Sequence, residues 1–257
     1  MTQPIVFLDI DGTILDHDKR IPAATREAVD QLKAQGVTVA IATGRAPFMF
    51  KDLREELDIH SFVSFNGQYV VYEDEVIYSN PLPTNHLDAL YEEAIATGHP
   101  MVFLNHEEMR ASEEEHGYIA NSLGSLKMDY PTIDPSFYKQ TDIYQALLFC
   151  EETDEAHYLQ KHDALDYIRW HEYSMDVLPL GGSKAIGVQK FLEKVGIPVE
   201  RSYAFGDGLN DREMLQYVGT GVAMGNAKEE VKLIADLVTG DVEDNGLREG
   251  FHKVGLL

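Results

Sequence analysis

Short apolar runs alternate with helical patterns over the first eighty residues. Residues 5–10 form an apolar run that predicts a buried parallel strand. Pro22 then opens a helical pattern that ends at Gly36, a residue type common just beyond helix C-termini. This alternation continues and predicts a parallel sheet with right-handed crossovers. The next predicted elements are a strand over 37–42, a helix starting at Pro47 and a strand over 62–65.

The pattern changes near Pro81. A hairpin is predicted just before it, with strands over 68–72 and 76–78. Between Thr84 and about Pro179 the signals are mixed, which indicates a distinct α+β subdomain. The helices predicted in this subdomain cover 84–97, 113–123 and 154–165, and the strands cover 101–104, 144–150, 168–170 and 175–178.

The first pattern resumes after Gly181-Gly182. Helices are predicted over 184–195, 212–218 and 227–235, with strands over 202–206, 221–224 and 237–238. We therefore expect an α/β fold with a doubly wound, mostly parallel sheet, interrupted by an inserted α+β cap. The predicted core comprises 1–81 and 182–257, and the predicted cap comprises 82–181.

The net charge of −23 argues against two classes of partner. Nucleic acid and anionic membranes both require a basic surface, so neither is expected to bind. A phosphate site in such a protein must be locally positive, through a cation, a few basic side chains and backbone N–H groups. The acidic excess is strongest in the predicted cap, which holds 19 Asp and Glu against 5 Lys and Arg.

A single cysteine, Cys150, leaves no pair for a disulfide and too few thiolates for a zinc site. The N-terminal residues lack a basic segment followed by a long apolar run, so we expect no signal peptide and a cytoplasmic protein. Seven of the ten histidines lie in the predicted cap, but none forms an i, i+4 pair. We therefore expect surface or packing roles for them rather than a transition-metal site.

Two carboxylates, Asp9 and Asp11, stand at the end of the first predicted strand in the sequence Asp-Ile-Asp-Gly-Thr. Ligands of open parallel sheets bind beyond the carboxyl ends of the strands, so chemistry is expected there. Two such carboxylates would repel each other unless a cation lies between them. An Asx-type turn that only ends the strand is the alternative.

Three further polar clusters follow strands or begin helices. Thr43-Gly44 could cradle a phosphate oxygen, while Arg45 could reach the substrate or pair with a carboxylate. Lys184 could neutralise a phosphoryl group or be a solvated surface lysine. The run Gly206-Asp-Gly-Leu-Asn-Asp supplies two carboxylates and an amide, although Asn210 or Asp211 could simply cap the next helix. In a doubly wound sheet all four clusters converge on one edge.

These motifs resemble those of the haloacid dehalogenase superfamily of phosphatases, and within it the Cof-like hydrolases. The matching segments are Asp9-Ile-Asp-Gly-Thr, Thr43-Gly-Arg, Asn66-Gly, Lys184, Gly206-Asp-Gly-Leu-Asn-Asp, Gly221-Val-Ala-Met-Gly-Asn-Ala and Asp244-Asn-Gly. Ala185 departs slightly from the pattern, because many relatives carry Gly after the lysine.

The resemblance implies a magnesium-dependent phosphatase that forms a phosphoryl intermediate on Asp9. Asp11 would protonate the leaving oxygen and later deprotonate the attacking water. Mg²⁺ would be held by the Asp9 carboxylate, the Asp11 backbone carbonyl and Asp207, with Asp211 supporting the site from the next layer. The groups that would contact the phosphate are the Ile10 backbone N–H, Thr43, Gly44, Lys184 and Asn210.

Two other functions share these motifs. A phosphomutase of the same superfamily would return the phosphoryl group to a sugar. A non-enzymatic phosphoacceptor switch would also use clustered Asp, Thr and Lys, but such modules are about half this length and lack a cap. An inserted cap would close over Asp9 like a lid, so we expect a small phosphorylated metabolite as substrate. The sequence does not name that metabolite, and it leaves the oligomeric state open.

Overall fold

The structure is a computed structural model that describes residues 3–257. These residues form two compact units. The larger unit contains 3–45, Met49–Ser79 and Ser183–Leu257, and the smaller unit contains Ala46–Phe48 and Asn80–Gly182. Across the described residues, no helix combines the length and the apolar character that a membrane crossing needs.

The strands are numbered here in chain order. They are β1 Ile5–Leu8, β2 Thr38–Ala42, β3 Phe62–Ser64, β4 Tyr69–Tyr72, β5 Glu75–Ser79, β6 Met101–Leu104, β7 Met109–Ala111, β8 Thr132–Ile133, β9 Gln145–Leu148, β10 Leu165–His171, β11 Ser174–Pro179, β12 Ser202–Gly206, β13 Thr220–Ala223 and β14 Leu237–Val238.

The α-helices are numbered in the same way. They are α1 Ala23–Ala34, α2 Lys51–Leu57, α3 Thr84–Thr97, α4 Gly117–Ser125, α5 Glu152–Lys161, α6 Lys184–Val195, α7 Arg212–Tyr217, α8 Glu229–Lys232 and α9 Gly246–Lys253. Short 3-10 helices cover Pro47–Phe50, Phe65–Gly67, Phe137–Lys139, Val199–Arg201, Leu209–Asp211 and Val242–Asp244.

The larger unit is built on one sheet with the strand order β14-β13-β12-β1-β2-β3-β4-β5 within the described residues. Neighbours from β14 to β3 run parallel, and the hairpin β4–β5 adds two antiparallel strands at one edge. The central strand β1 is fully buried, as expected for a parallel strand covered on both faces. This confirms the predicted α/β fold with a mostly parallel sheet.

Helix α6 covers the middle of this sheet through an apolar face. Val188 and Phe191 are fully buried in a cluster with Phe7 of β1. The rings of Phe7 and Phe191 meet edge to face at 5.2 Å, a favoured aromatic geometry. Gly187 is required here, since a side chain at that position would overlap Gly67 and Val63. This close packing fixes the start of α6, where Lys184 lies.

The smaller unit has an α+β architecture. Its sheet has the order β10-β11-β9-β6-β7-β8 within the described residues, and every neighbouring pair is antiparallel except β7–β8. One face of the sheet packs against α3 and α5 in an apolar cluster that includes Leu90, Phe103 and Tyr158. The cluster gives this unit a hydrophobic core of its own.

Most predicted elements agree with the structure, and three kinds of error stand out. The helix over 84–97 is confirmed with its end at Gly98. The helix predicted from Glu113 begins instead at Gly117, because the ring of His116 accepts the Tyr118 N–H and caps it. The helix predicted over 227–235 shrinks to the four residues of α8. Strands β7 and β8 and helix α9 have no counterpart among the predicted elements.

Candidate active site

The carboxyl ends of three neighbouring strands bring the site together in the larger unit. Strand β1 lies between β12 and β2 and runs parallel to both. Asp9 follows β1, Thr43 follows β2 and Asp207 follows β12. The Asp9 N–H continues the ladder by donating to the Phe205 carbonyl at 3.0 Å. The parallel topology therefore places these side chains at one edge of the sheet, as the motifs predicted.

Lys184 joins two carboxylates at this edge. Its Nζ donates to Asp9 Oδ1 at 2.5 Å and to Asp211 Oδ1 at 2.6 Å. All three side chains are buried, with exposures of 1% for Lys184, 7% for Asp9 and 0% for Asp211. Buried charges persist in proteins when they are paired and hydrogen-bonded. The alternative of a solvated surface lysine is therefore wrong.

Burial dominates the pKa of Asp9, whereas neighbouring charge dominates the pKa of Lys184. Burial raises the pKa of Asp9 to about 8, although Lys184 works against the shift. Burial would lower the pKa of Lys184, but Asp211 and Asp9 outweigh it and hold that pKa above its ordinary value. Lys184 is thus held in its charged form, and a second cation would be needed to keep Asp9 fully ionised at neutral pH.

Lys184→Ala should lower both activity and stability. Removing one charge-stabilising group should reduce kcat/KM by about two to three decades. The remaining Asp9 and Asp211 would be buried without their cation, so the free energy of unfolding should fall by about 3 kcal/mol. Enzyme kinetics and urea unfolding measure the two effects. Lys194, an exposed lysine on the same helix, is the control for charge loss. A Lys184→Ala protein as active and as stable as wild type would contradict the assigned ion pairs.

The loop after β12 is organised around Asp211. Its Oδ2 accepts the N–H of Asp207 at 3.0 Å and that of Gly208 at 2.8 Å. The Asp211 side chain makes no capping hydrogen bond to α7, so the predicted capping alternative is wrong for this residue. Gly206 passes so close to the Asp211 carboxylate that any side chain there would overlap it. Asp211 therefore shapes the loop that presents Asp207.

Three carboxylates are close enough to share a cation. Ligand oxygens of Asp9, Asp207 and Asp211 lie within 4.8 Å of one another. Burial raises the pKa of Asp207 to about 6, and the charge of Asp211 adds to the shift. Among the residues that the structure describes, the one hydrogen bond to Asp207 Oδ2 is long, 3.3 Å, and comes from Asn226 Nδ2. An oxygen donor set with incompletely compensated negative charge fits a hard dication such as Mg²⁺.

Asp11 belongs to a different set of contacts. Arg45 donates to its two oxygens at 2.8 and 2.6 Å, and Lys19 Nζ donates at 2.6 Å. Burial would raise the pKa of Asp11, but Arg45 and Lys19 together lower it below its ordinary value. Of the two predicted roles for Arg45, the structure shows pairing with a carboxylate. Asp11 is therefore held as a carboxylate in this structure.

The predicted phosphate contacts line the same edge. Thr43 is 2% exposed, and its Oγ1 accepts the Arg45 N–H at 3.1 Å while its own proton remains able to donate. Among the described residues, the Ile10 backbone N–H has no hydrogen-bond acceptor. A side chain at Gly44 would crowd the Asn66 amide at 3.0 Å. Asn210 Nδ2 donates to Asn66 Oδ1 at 3.1 Å, which orients its amide.

Three side chains at this site had no role predicted from sequence. Lys19 pairs with Asp11. Asn66 orients Asn210 from a left-handed backbone conformation, φ 50°. Asn226 donates to the Gly12 carbonyl at 2.8 Å and so ties the loop after β13 to the loop after β1. Asn66 and Asn226 lie inside sequence segments that resemble the family, and that resemblance could have pointed to them. No sequence pattern pointed to Lys19.

The sequence matches a known protein family. The sequence profile of the haloacid dehalogenase-like hydrolases matches residues 6–251. The chain belongs to this family. The Bacillus subtilis protein YkrA, whose name proposes a phosphatase, is 50% identical over 257 residues and covers 100% of both chains.

Solved structures place the chain among haloacid dehalogenase phosphatases. A hypothetical protein from Geobacillus kaustophilus with a known crystal structure is 54% identical in sequence to this chain. The two structures superpose with a TM-score of 0.97, and the match covers 100% of both chains. A sugar phosphatase of the family's subclass IIB is 28% identical, with a TM-score of 0.86 over 99% of this chain and 100% of that one. The haloacid dehalogenase-like chain described here is thus a Cof-type phosphatase, a phosphoric monoester hydrolase.

Proposed function

We propose that this phosphatase hydrolyses small phosphate monoesters, such as sugar phosphates or phosphorylated cofactors, with Mg²⁺ and through an aspartyl-phosphate on Asp9. The observation that carries the proposal is the buried arrangement in which Lys184 bridges Asp9 and Asp211 beside Asp207. Such an arrangement places one buried cation, and oxygen ligands for a second, where a phosphoryl group would be transferred. The similarity to a sugar phosphatase supports the substrate class.

Asp9 acts as the nucleophile in this mechanism. Its carboxylate oxygen attacks phosphorus, and the bond between phosphorus and the leaving oxygen breaks. The leaving oxygen takes a proton from Asp11. A water molecule then attacks the phosphoryl group and gives its proton to Asp11, while the bond to Asp9 breaks and inorganic phosphate is released.

The charge of Asp11 must change during this cycle. Arg45 and Lys19 hold it as a carboxylate, the form that accepts a proton from water. To serve as an acid in the first step, it must lose part of this cationic support. An incoming phosphoryl dianion would compete for Arg45 and Lys19, because both cations bind phosphate oxygens as well as carboxylates. We infer that substrate binding makes Asp11 able to carry a proton.

The remaining residues hold the phosphoryl group and the cation. Thr43, Gly44, Lys184, Asn210 and the Ile10 N–H would contact phosphoryl oxygens. The Mg²⁺ ligands would be Asp9, the Asp11 carbonyl and Asp207, with Asp211 supporting them through Lys184 and the loop N–H groups. When bound, the ion supplies charge neutralisation for the phosphoryl group. Residues 82–181 would act as the cap that selects the leaving group.

Phosphate release from a panel of substrates tests the proposal. Purified protein with Mg²⁺ should release inorganic phosphate from several sugar phosphates and phosphorylated cofactors without any bisphosphate activator, which a mutase would need. Small metabolites should give higher kcat/KM values than phosphopeptides and 5′-phosphorylated oligonucleotides, because a protein of net charge −23 repels polyanions. If an oligonucleotide or a phosphopeptide surpasses every metabolite in a broad panel, the proposed substrate class is wrong.

A further inference from the structure

The short segment after β3, which we call the 65–67 turn, has an unusual backbone. Its three successive residues, Phe65, Asn66 and Gly67, have positive φ angles of 50°, 50° and 101°. Glycine adopts such angles readily, and asparagine does so more often than most residues. For a bulky aromatic residue the conformation is strained. Strained backbone persists where the surrounding structure holds it, and it concentrates at functional sites.

The 65–67 turn is held first by the loop that follows β2. The Phe65 N–H donates to the Arg45 carbonyl at 3.2 Å, and the Asn66 N–H donates to the Thr43 carbonyl at 3.1 Å. Phe65 is fully buried and Asn66 is 4% exposed. These backbone hydrogen bonds fix the turn against the segment that contains Thr43, one of the proposed phosphate contacts.

The same turn packs against the start of α6. A side chain at Gly67 would overlap the Ser183 carbonyl oxygen, so only glycine lets the two backbones approach this closely. A side chain at Gly187 would in turn overlap the Gly67 backbone. Lys184 is the first residue of α6. The 65–67 turn is therefore fixed against the helix start that carries Lys184, a second proposed phosphate contact.

The side chain of Asn66 connects the turn to the loop that follows β12. Its Oδ1 accepts a hydrogen bond from Asn210 Nδ2 at 3.1 Å. Asn210 is exposed, and an exposed side chain without such a bond samples several rotamers. The Nδ2 atom carries two hydrogens, so the second can still donate to a phosphoryl oxygen. Asn66 thus holds an exposed amide in one orientation before a substrate binds.

We propose that Asn66 is a positioning residue for phosphoryl transfer, which acts by holding the Asn210 amide in register with Thr43 and Lys184. The 65–67 turn makes this possible, because it is fixed against the elements that carry both of those residues. Donors that are oriented in advance stabilise a phosphoryl group without a further ordering cost during the reaction. The inference rests on the proposed phosphatase function and assigns a role to the Asn-Gly motif after β3.

A double-mutant cycle tests this role in the full-length protein. Asn66→Gly removes the side-chain amide and keeps the backbone conformation, because glycine accepts a φ of 50°. With p-nitrophenyl phosphate and Mg²⁺, Asn66→Gly should lower kcat/KM by roughly tenfold, the effect of one lost hydrogen bond. In an Asn210→Ala background the same change should lower kcat/KM by less than about twofold, since the amide that Asn66 orients is already absent.

Affinity for inorganic phosphate is the second readout. Titration calorimetry in the presence of Mg²⁺ should give a phosphate Kd that is roughly tenfold higher in Asn66→Gly than in the wild type, because the oriented donor is lost. The melting temperature should fall by no more than about 4 °C, since the backbone hydrogen bonds of the turn remain. A merely structural role would instead lower the melting temperature strongly and leave the phosphate Kd of the folded protein unchanged.

Asn245→Gly is the matched control. Asn245 also precedes a glycine and has a φ of 61°, and within the described chain its side chain makes no capping hydrogen bond. It is exposed, so its replacement should leave kcat/KM and the phosphate Kd at their wild-type values. Equal effects of Asn66→Gly in the two backgrounds, an unchanged phosphate Kd in Asn66→Gly or an equal loss in Asn245→Gly would overturn the inference.

The wild-type protein separates this inference from the proposed function. If the wild type releases phosphate from monoesters and the cycle shows no coupling between Asn66 and Asn210, the positioning role is wrong and the phosphatase function stands. If the wild type releases phosphate from no monoester, the proposed function is wrong, and the positioning role falls with it.

Discussion

Asp9→Asn should remove at least roughly four decades of kcat, since loss of a covalent nucleophile is among the most damaging changes in an enzyme. The amide is nearly isosteric with the carboxylate but is a poor nucleophile. The fold should survive, because Lys184 retains its 2.6 Å bond to Asp211. The change also removes a buried acidic group whose pKa is raised from 3.8 to about 8, so it relieves a destabilisation that grows as the pH rises between these two values and is complete above about 8.

Turnover measurements with matched melting curves check this expectation. Asp16→Asn is the control, because Asp16 is another acid of the same loop. Within the described part of the chain, its side chain accepts a hydrogen bond from the nearby Arg20 backbone N–H and makes no other. Asp16→Asn should turn over at close to the wild-type rate. If folded Asp9→Asn keeps more than a few per cent of wild-type turnover, the nucleophile lies elsewhere.

Removal of divalent cations should abolish turnover, and added Mg²⁺ should restore it. Asp9, Asp207 and Asp211 present their oxygens within 4.8 Å of one another, and Lys184 supplies the single buried positive charge bonded to Asp9 among the described residues. Without a second cation, Asp9 would be largely protonated at neutral pH, since burial raises its pKa to about 8. A protonated carboxyl is a poor nucleophile, and the other acids would repel the substrate dianion.

Assays after EDTA treatment, followed by titration with Mg²⁺, measure this dependence. Asp207→Asn should raise the Mg²⁺ concentration that gives half-maximal activity, because one charged ligand is lost. Exposed Glu213 provides a control charge change on α7, the helix that follows the loop. Full activity in verified metal-free protein would contradict the proposed mechanism.

The sequence predicted the parts of the fold that depend on local pattern. Strand β1 is an uninterrupted apolar run, and α3 ends at a glycine in the left-handed conformation, so both were recognisable. Strands β7 and β8, with three and two residues, are too short to show a period. Helix α9 begins at Gly246, inside the sequence Asp244-Asn245-Gly246, which resembles a turn, and its N-cap Asn245 has a positive φ of 61°.

The sequence predicted which strand ends carry the site residues, but it did not predict the contacts between those residues. Parallel topology brings Asp9, Thr43 and Asp207 to one edge whatever their separation in sequence. The burial of Lys184 was not predictable, because a lysine at a helix start is ordinarily solvated and its partner Asp9 lies 175 residues away. The pairing of Arg45 with Asp11, 34 residues apart, depends likewise on tertiary packing.

A covalent phosphoryl group on Asp9 is the central claim, and its detection is the most direct test. Asp11→Asn protein should accumulate the intermediate from an aryl phosphate such as p-nitrophenyl phosphate, because that leaving group needs no proton from Asp11. Hydrolysis of the intermediate still needs Asp11 to deprotonate the attacking water. Incubation of this variant with Mg²⁺ and a ³²P-labelled substrate, followed by acid quench and peptide mapping, should locate hydroxylamine-sensitive label on Asp9. Asp9→Asn should remain unlabelled. Turnover by the wild type with no protein-bound label in Asp11→Asn, or label on a residue other than Asp9, would contradict the account.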